Sequence, residues 1–189
     1  FRRLPGKRAA IPDRGAFLMN RWFSCVFTFL FTLPAVAGEA AAHVHGVASL
    51  QVAIDGSSVT LTLESPLDNL LGFEHAARSE QERATVRAMR ERLEQVESLF
   101  VPSPAARCQA VSVRLESPVL QTGSRPANGG HADLDGEFVF HCQNPGELHA
   151  LEVTMFRSFP NLQRLDVQVA SPRGQSAARL SPQQRRVTW

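Results

Sequence analysis

The run His43-Val44-His45-Gly46-Val47-Ala48-Ser49-Leu50-Gln51-Val52-Ala53-Ile54-Asp55-Gly56-Ser57-Ser58-Val59-Thr60-Leu61-Thr62-Leu63 decides the fold. Val44, Ala48, Leu50, Val52 and Ile54 share one parity, and His43, His45, Val47 and Ser49 the other. That alternation predicts a half-buried strand from His43 to Ile54. Asp55-Gly56 is a tight-turn pair, and Val59, Leu61 and Leu63 continue as a second strand, so the two form a hairpin. A hairpin with one apolar face needs a cover, and the segments that follow supply it.

Ser65-Pro66 opens a short helix carrying Leu67, Leu70 and Leu71 and ended by Gly72. Ser79 with Glu82 three residues on is a capping box. Val86, Met89, Leu93, Val96 and Phe100 then recur at spacings of three and four, predicting one long amphipathic helix that stops at Pro102. A third strand spans Ala110 to Leu115 with Val111, Val113 and Leu115 on one face. Residues 117–130 form a Pro-, Gly- and Ser-containing loop. A fourth strand, about Ala132 to Cys142, buries Leu134, Phe138, Phe140 and Cys142. Leu151, Val153 and Met155 mark a fifth strand, and Leu165, Val167 and Val169 a sixth. Beyond residues 172–175 a short polar tail offers Leu180 and Trp189 as anchors. The expected class is α+β: an antiparallel β-sheet with a short helix and one long amphipathic helix packed on one face.

Upstream of the hairpin, Met19-Asn20-Arg21 begins a stretch with the parts of a secretory signal. Arg21 supplies the positive charge, Trp22 to Leu33 the apolar run, Pro34 the break, and Ala35-Val36-Ala37 the small residues of a cleavage site. The apolar run is shorter than the ~20 residues a spanning helix needs, so no membrane span is expected in the mature form. Residues 1–18 are basic and aperiodic, and Met19 reads as the true start. Residues 1–37 are therefore assigned to upstream sequence plus cleaved signal, and 38–189 to a single exported domain in the periplasm. An uncleaved anchor is the competing reading.

The mature portion has 14 Arg, no Lys and 17 acidic residues, a formal charge of −3, although the whole chain is +2. No basic footprint for nucleic acid remains. With Cys25 in the leader, Cys108 and Cys142 are left, and in an oxidising compartment such a pair forms a disulfide. Two thiolate metal ligands are the alternative. No catalytic signature is present, neither G-x-S-x-G, H-E-x-x-H nor a Gly-rich phosphate loop, and no enzyme is expected.

The histidines carry the remaining chemistry. His43 and His45, two apart on a strand, project from one face if the backbone between them keeps its pleat. His131, Asp133, Asp135, Glu137 and His141 share the polar face of the fourth strand by the same parity. If those strands are neighbours, His43, His45, His131 and Asp133 complete a four-coordinate N/O site of the kind Zn²⁺ accepts. His75, beside Glu74, joins that site or caps the short helix. The bland alternative is an ordinary solvated strand face.

Several stretches resemble the ZrgA-like family of zinc-regulated periplasmic proteins. They are His43-Val44-His45-Gly46, the block Ser65-Pro66-Leu67-Asp68-Asn69-Leu70-Leu71-Gly72-Phe73-Glu74-His75, and His131-Ala132-Asp133-Leu134-Asp135 with Phe138, Phe140 and Cys142. Phe156, Phe159-Pro160, Gly174-Gln175 and Leu180-Ser181-Pro182 continue the match in order. The resemblance implies zinc binding in support of high-affinity zinc import, beside an ABC-type importer or its binding protein. It implies His43, His45, His75, His131 and Asp133 as ligands. Many relatives carry a His-rich tract before the H-A-D segment, whereas residues 117–130 here contain no His. A high-capacity reservoir is therefore not expected. Two other classes stay open: a metal-independent periplasmic interaction module, and a copper protein in which cleavage after Ala42 makes His43 an N-terminal chelate.

Overall fold

The computed structural model describes residues 44–121 and 132–189. The expected signal segment, His43 and His131 lie outside the described residues.

The hairpin forms as the alternation requires. Strand β1 (Val47–Asp55) pairs antiparallel with β2 (Ser58–Pro66), Leu50 opposite Leu63 and Val52 opposite Leu61. Gly56 takes φ 56° at the turn, a conformation that costs glycine nothing. Strand β1 begins four residues later than expected, because Gly46 at φ 83° ends the pleat before it.

Four further strands complete a six-stranded sheet: β4 (Cys108–Glu116), β5 (Asp133–Cys142), β7 (Arg164–Ser171) and β8 (Gly174–Leu180), in the order β4-β5-β2-β1-β7-β8. A smaller sheet joins β3 (Phe100–Pro102), β6 (Ala150–Val153) and β9 (Arg186–Thr188). The large sheet is mixed, not purely antiparallel: β1 and β7 run parallel, with Ala48, Leu50 and Val52 opposite Leu165, Val167 and Val169. All six of those side chains are buried, so apolar burial on the same parity supports the parallel pairing.

The chain is mostly β, with few helices. Helix α1 (Leu67–Leu71) is one turn, and α2 (Glu80–Glu94) is the only helix among the described residues longer than that. Ser79 Oγ accepts the Glu82 N–H at 3.1 Å, as the capping box predicts. Val86, Met89 and Leu93 face inward, but the helix stops at Glu94 and not near Phe100. Val96 lies in a 3₁₀ turn, and Phe100 starts β3 opposite Val153. The spacing of three and four continued past the helix because Met89, Leu93, Val96 and Phe100 enter one core.

Two other expectations change for local reasons. A bulge between Ala110 and Ser112 leaves Val111 63 % exposed, while Val113 and Leu115 still pack on the core. The polar tail is two strands: β8 is a solvent-facing edge with no apolar alternation, and β9 buries Val187. Cys108 and Cys142 sit directly opposite each other on β4 and β5 and form the expected disulfide, which removes them as thiolate ligands. No helix among the described residues is long and apolar enough to cross a membrane.

Candidate metal centre

One end of the large sheet gathers the start of β1, the end of β2 with α1, and the start of β5. The chain enters β1 through a turn in which the Val47 N–H donates to the Val44 carbonyl at 3.1 Å. Gly46 holds the left-handed conformation, and its carbonyl accepts from both the Gln163 and Arg164 N–H at 2.8 Å. Asn69 of α1, only 1 % exposed, closes the other side. Its Oδ1 accepts the Gly46 N–H at 2.6 Å, and its Nδ2 donates to the Val47 carbonyl at 2.8 Å and to Ser65 Oγ at 3.2 Å. A buried amide saturated in this way is worth more than its pairwise bonds, since any replacement strands backbone groups.

His45 therefore projects from a pinned turn and not from the face of a strand. The pleat on which the His43/His45 same-face argument depends begins only at Val47. The imidazole faces two carboxylates instead: His45 Nε2 lies 3.3 Å from Glu74 Oε1, and Nδ1 lies 3.7 Å from Asp68 Oδ2. His45 is 59 % exposed, Asp68 29 % and Glu74 17 %, so a reachable ring sits over two partly withdrawn acids. Helix α1 positions both. Asp68 is in its first turn, and Gly72 at φ 80° ends it so that Phe73-Glu74-His75 doubles back. Asn161 Nδ2 reinforces that end by donating to the Asp68 carbonyl at 3.1 Å.

The other expected ligands are placed differently. The His75 ring stacks on Phe73 at 5.0 Å, and its Nδ1 is 3.0 Å from the Ala76 carbonyl. Asp133 pairs with Pro66 on β2, and its carbonyl accepts from Ser117 Oγ at 2.7 Å. Strands β1 and β5 are not neighbours, since β2 lies between them. Two inter-strand steps separate them by about 9.5 Å. Among the described residues no group of three or more His, Cys, Asp or Glu side chains is gathered closely enough to hold a metal ion. His141 and His149 are exposed, His141 at the far end of β5 and His149 just before β6.

A row of acids crosses the solvent side of the same sheet: Glu116 opposite Asp135, Asp135 opposite Glu64, and Glu64 opposite Ser49. Burial raises the Asp135 carboxyl above the ordinary value, and the neighbouring charges of Glu64 and Glu116 push it the same way. Glu82, at the start of α2, is shifted downward, chiefly by the Arg78 N–H that donates to it, with a smaller contribution from His75.

Residues 42–189 match the family model of the ZrgA family zinc uptake proteins. The chain belongs to that family. No curated protein matches it. For a ZrgA family member, the arrangement at the head of β1 gives the residue pattern a mechanical sense. Of the 65–75 block, only His75 was expected among the ligands. Asn69 is the clamp, and Asp68 and Glu74 are the groups that meet His45. The signal was present as the D-N…E-H order, yet nothing local tells that Asn69 is buried or that Glu74 turns toward β1.

Proposed function

We propose that the protein is a periplasmic zinc-binding accessory of high-affinity zinc uptake that performs no catalysis and works beside an ABC-type importer or its binding protein. The observation that carries this reading is His45, an accessible imidazole on a turn that is hydrogen-bonded to two separate segments, Asn69 of α1 and Gln163-Arg164. Zinc, as cargo, calls for N and O donors at about 2.0–2.2 Å. His45, His43, His75, His131 and Asp133 form the proposed donor pool, with His43 and His131 assigned from sequence alone. Export rests on the leader pattern of residues 19–37, and N-terminal sequencing of the exported protein should begin at Gly38.

Calorimetric titration with zinc tests the binding claim. The exported protein takes up zinc, and the H43A/H45A double variant loses most of the affinity. Binding also weakens in acid, because a protonated imidazole cannot coordinate. Unchanged stoichiometry and affinity in the double variant would refute the histidine site. Absence of both heat and a melting shift in the parent protein would favour a metal-independent interaction module.

A further inference from the structure

We infer that Glu74 ligates zinc directly through Oε1, beside His45 Nε2, and that Asp68 takes the proton-bearing Nδ1 of the same ring, an assignment that rests on the zinc reading above. The distance between the two donors is the first support. Four ligands around an ion at bond lengths of 2.0–2.1 Å stand about 3.3 Å apart from one another. His45 Nε2 and Glu74 Oε1 are 3.3 Å apart. That separation matches one edge of the tetrahedron that zinc prefers.

Chemistry supplies the second support. Coordination through Nε2 obliges Nδ1 to keep its hydrogen, and a ligating imidazole characteristically donates that hydrogen to a carboxylate or carbonyl. Asp68 Oδ2 stands 3.7 Å from Nδ1. Closing to an ordinary charge-assisted hydrogen bond takes a side-chain adjustment of about 0.9 Å. The two ring nitrogens of His45 are thus directed at two different acids, in the arrangement that a ligand and its orienting partner need.

Positioning is the third. His45 hangs on the turn held by Asn69, and Asp68 and Glu74 flank that same amide in sequence, so one short segment sets all three groups. Glu74 is only 17 % exposed, so its carboxylate has little water left to shed when a cation arrives. The site is then a mixed imidazole–carboxylate centre, with its remaining positions taken by water or other donors.

Zinc chloride titrated calorimetrically into the full chain and its H45A, E74Q, D68N and E91Q variants tests this, with cobalt(II) visible absorption as a second readout. The parent and E91Q should bind alike. E74Q should bind at least about 100-fold more weakly with an altered cobalt spectrum, and D68N about tenfold more weakly, as loss of an outer-shell partner does. If E74Q keeps parental affinity and spectrum while H45A loses binding, Glu74 is no ligand and the zinc reading survives. If the parent protein takes up no zinc, both fall. Should E74Q fail to fold, E74A removes the carboxylate as well, and parental affinity there overturns the assignment equally.

Discussion

The two ends of the large sheet are held by different chemistry. At the β1–β2 turn the Cys108–Cys142 disulfide locks β4 to β5, and the Cys142 N–H donates to the Ser57 carbonyl at 2.8 Å. At the opposite end, about 30 Å away along β5 by strand rise, the entry turn of β1 is held by hydrogen bonds, most of them to Asn69 and Gly46. The covalent end stabilises the chain and carries none of the proposed ligands. The hydrogen-bonded end carries His45, Asp68 and Glu74. Damage at the first should lower stability alone, whereas damage at the second should lower stability and zinc affinity together.

The largest expected effect comes from the covalent end. A C108A/C142A variant loses a closure spanning 34 residues, worth about 4 kcal/mol in the chain-entropy model. Urea unfolding should show that loss while calorimetry shows zinc affinity unchanged in the folded protein. A simultaneous fall in affinity would show that the two ends are coupled, and the contrast would fail.

Next is the amide clamp. N69L keeps the branched shape of the side chain but strands the Gly46 N–H and takes a donor from the Val47 carbonyl and Ser65 Oγ, and should cost about 3 kcal/mol. Unlike loss of the disulfide, it should also weaken zinc binding, read in the same titration. G46A sharpens the point with a smaller perturbation. A methyl group there meets nothing closer than Gln163 Cβ and Cγ at 3.5 Å, so space is adequate. The positive φ alone is the obstacle, at about 1–2 kcal/mol. Reduced affinity with a modest loss of melting temperature would identify the turn as the positioning device.

The smallest effect concerns the acid row. Because the Asp135 carboxyl is raised in the folded state, the native protein binds that proton more tightly than the unfolded chain does. Stability therefore falls as pH rises from the unfolded value through the raised folded one. D135N should remove this dependence and stabilise at pH 7 by about 0.5 kcal/mol, with solvent screening keeping the gain small. The difference from the parent should shrink as pH falls toward the ordinary carboxylate value. A parent whose stability is flat across that interval would show that the charges of Glu64 and Glu116 are fully screened.

Much of the core was legible beforehand. Leu50, Val52, Leu61, Leu63, Leu134, Phe138, Phe140, Val167 and Val169 were all placed inward by parity, and all are buried. Errors fell where a local pattern had two causes. Val96 and Phe100 kept helical spacing because they enter the same core from a 3₁₀ turn and a strand. Val111 lost its place to a bulge, which shifts the register by one residue and so exchanges faces. Strand β8 was missed because an exposed edge of small and polar residues carries no periodic signal. For the site, His45 was identified, but the strand face assigned to it was wrong. Gly46, read as part of an alternation, is where the pleat stops.

The sequence alone determined which side of β1, β2, β5 and β7 is apolar, the expectation that Cys108 pairs with Cys142, and the kinship to a zinc uptake family. These depend on neighbouring residues, on counting, or on an ordered series of motifs. Tertiary structure decided that β7 lies parallel against β1, that β2 separates β1 from β5, and that Asn69 holds the turn presenting His45 to Asp68 and Glu74. Burial of a side chain is encoded in local periodicity. Which distant segment completes its hydrogen bonds is a property of the whole packed chain, because each such bond gains its strength only after the rest of the fold has excluded water.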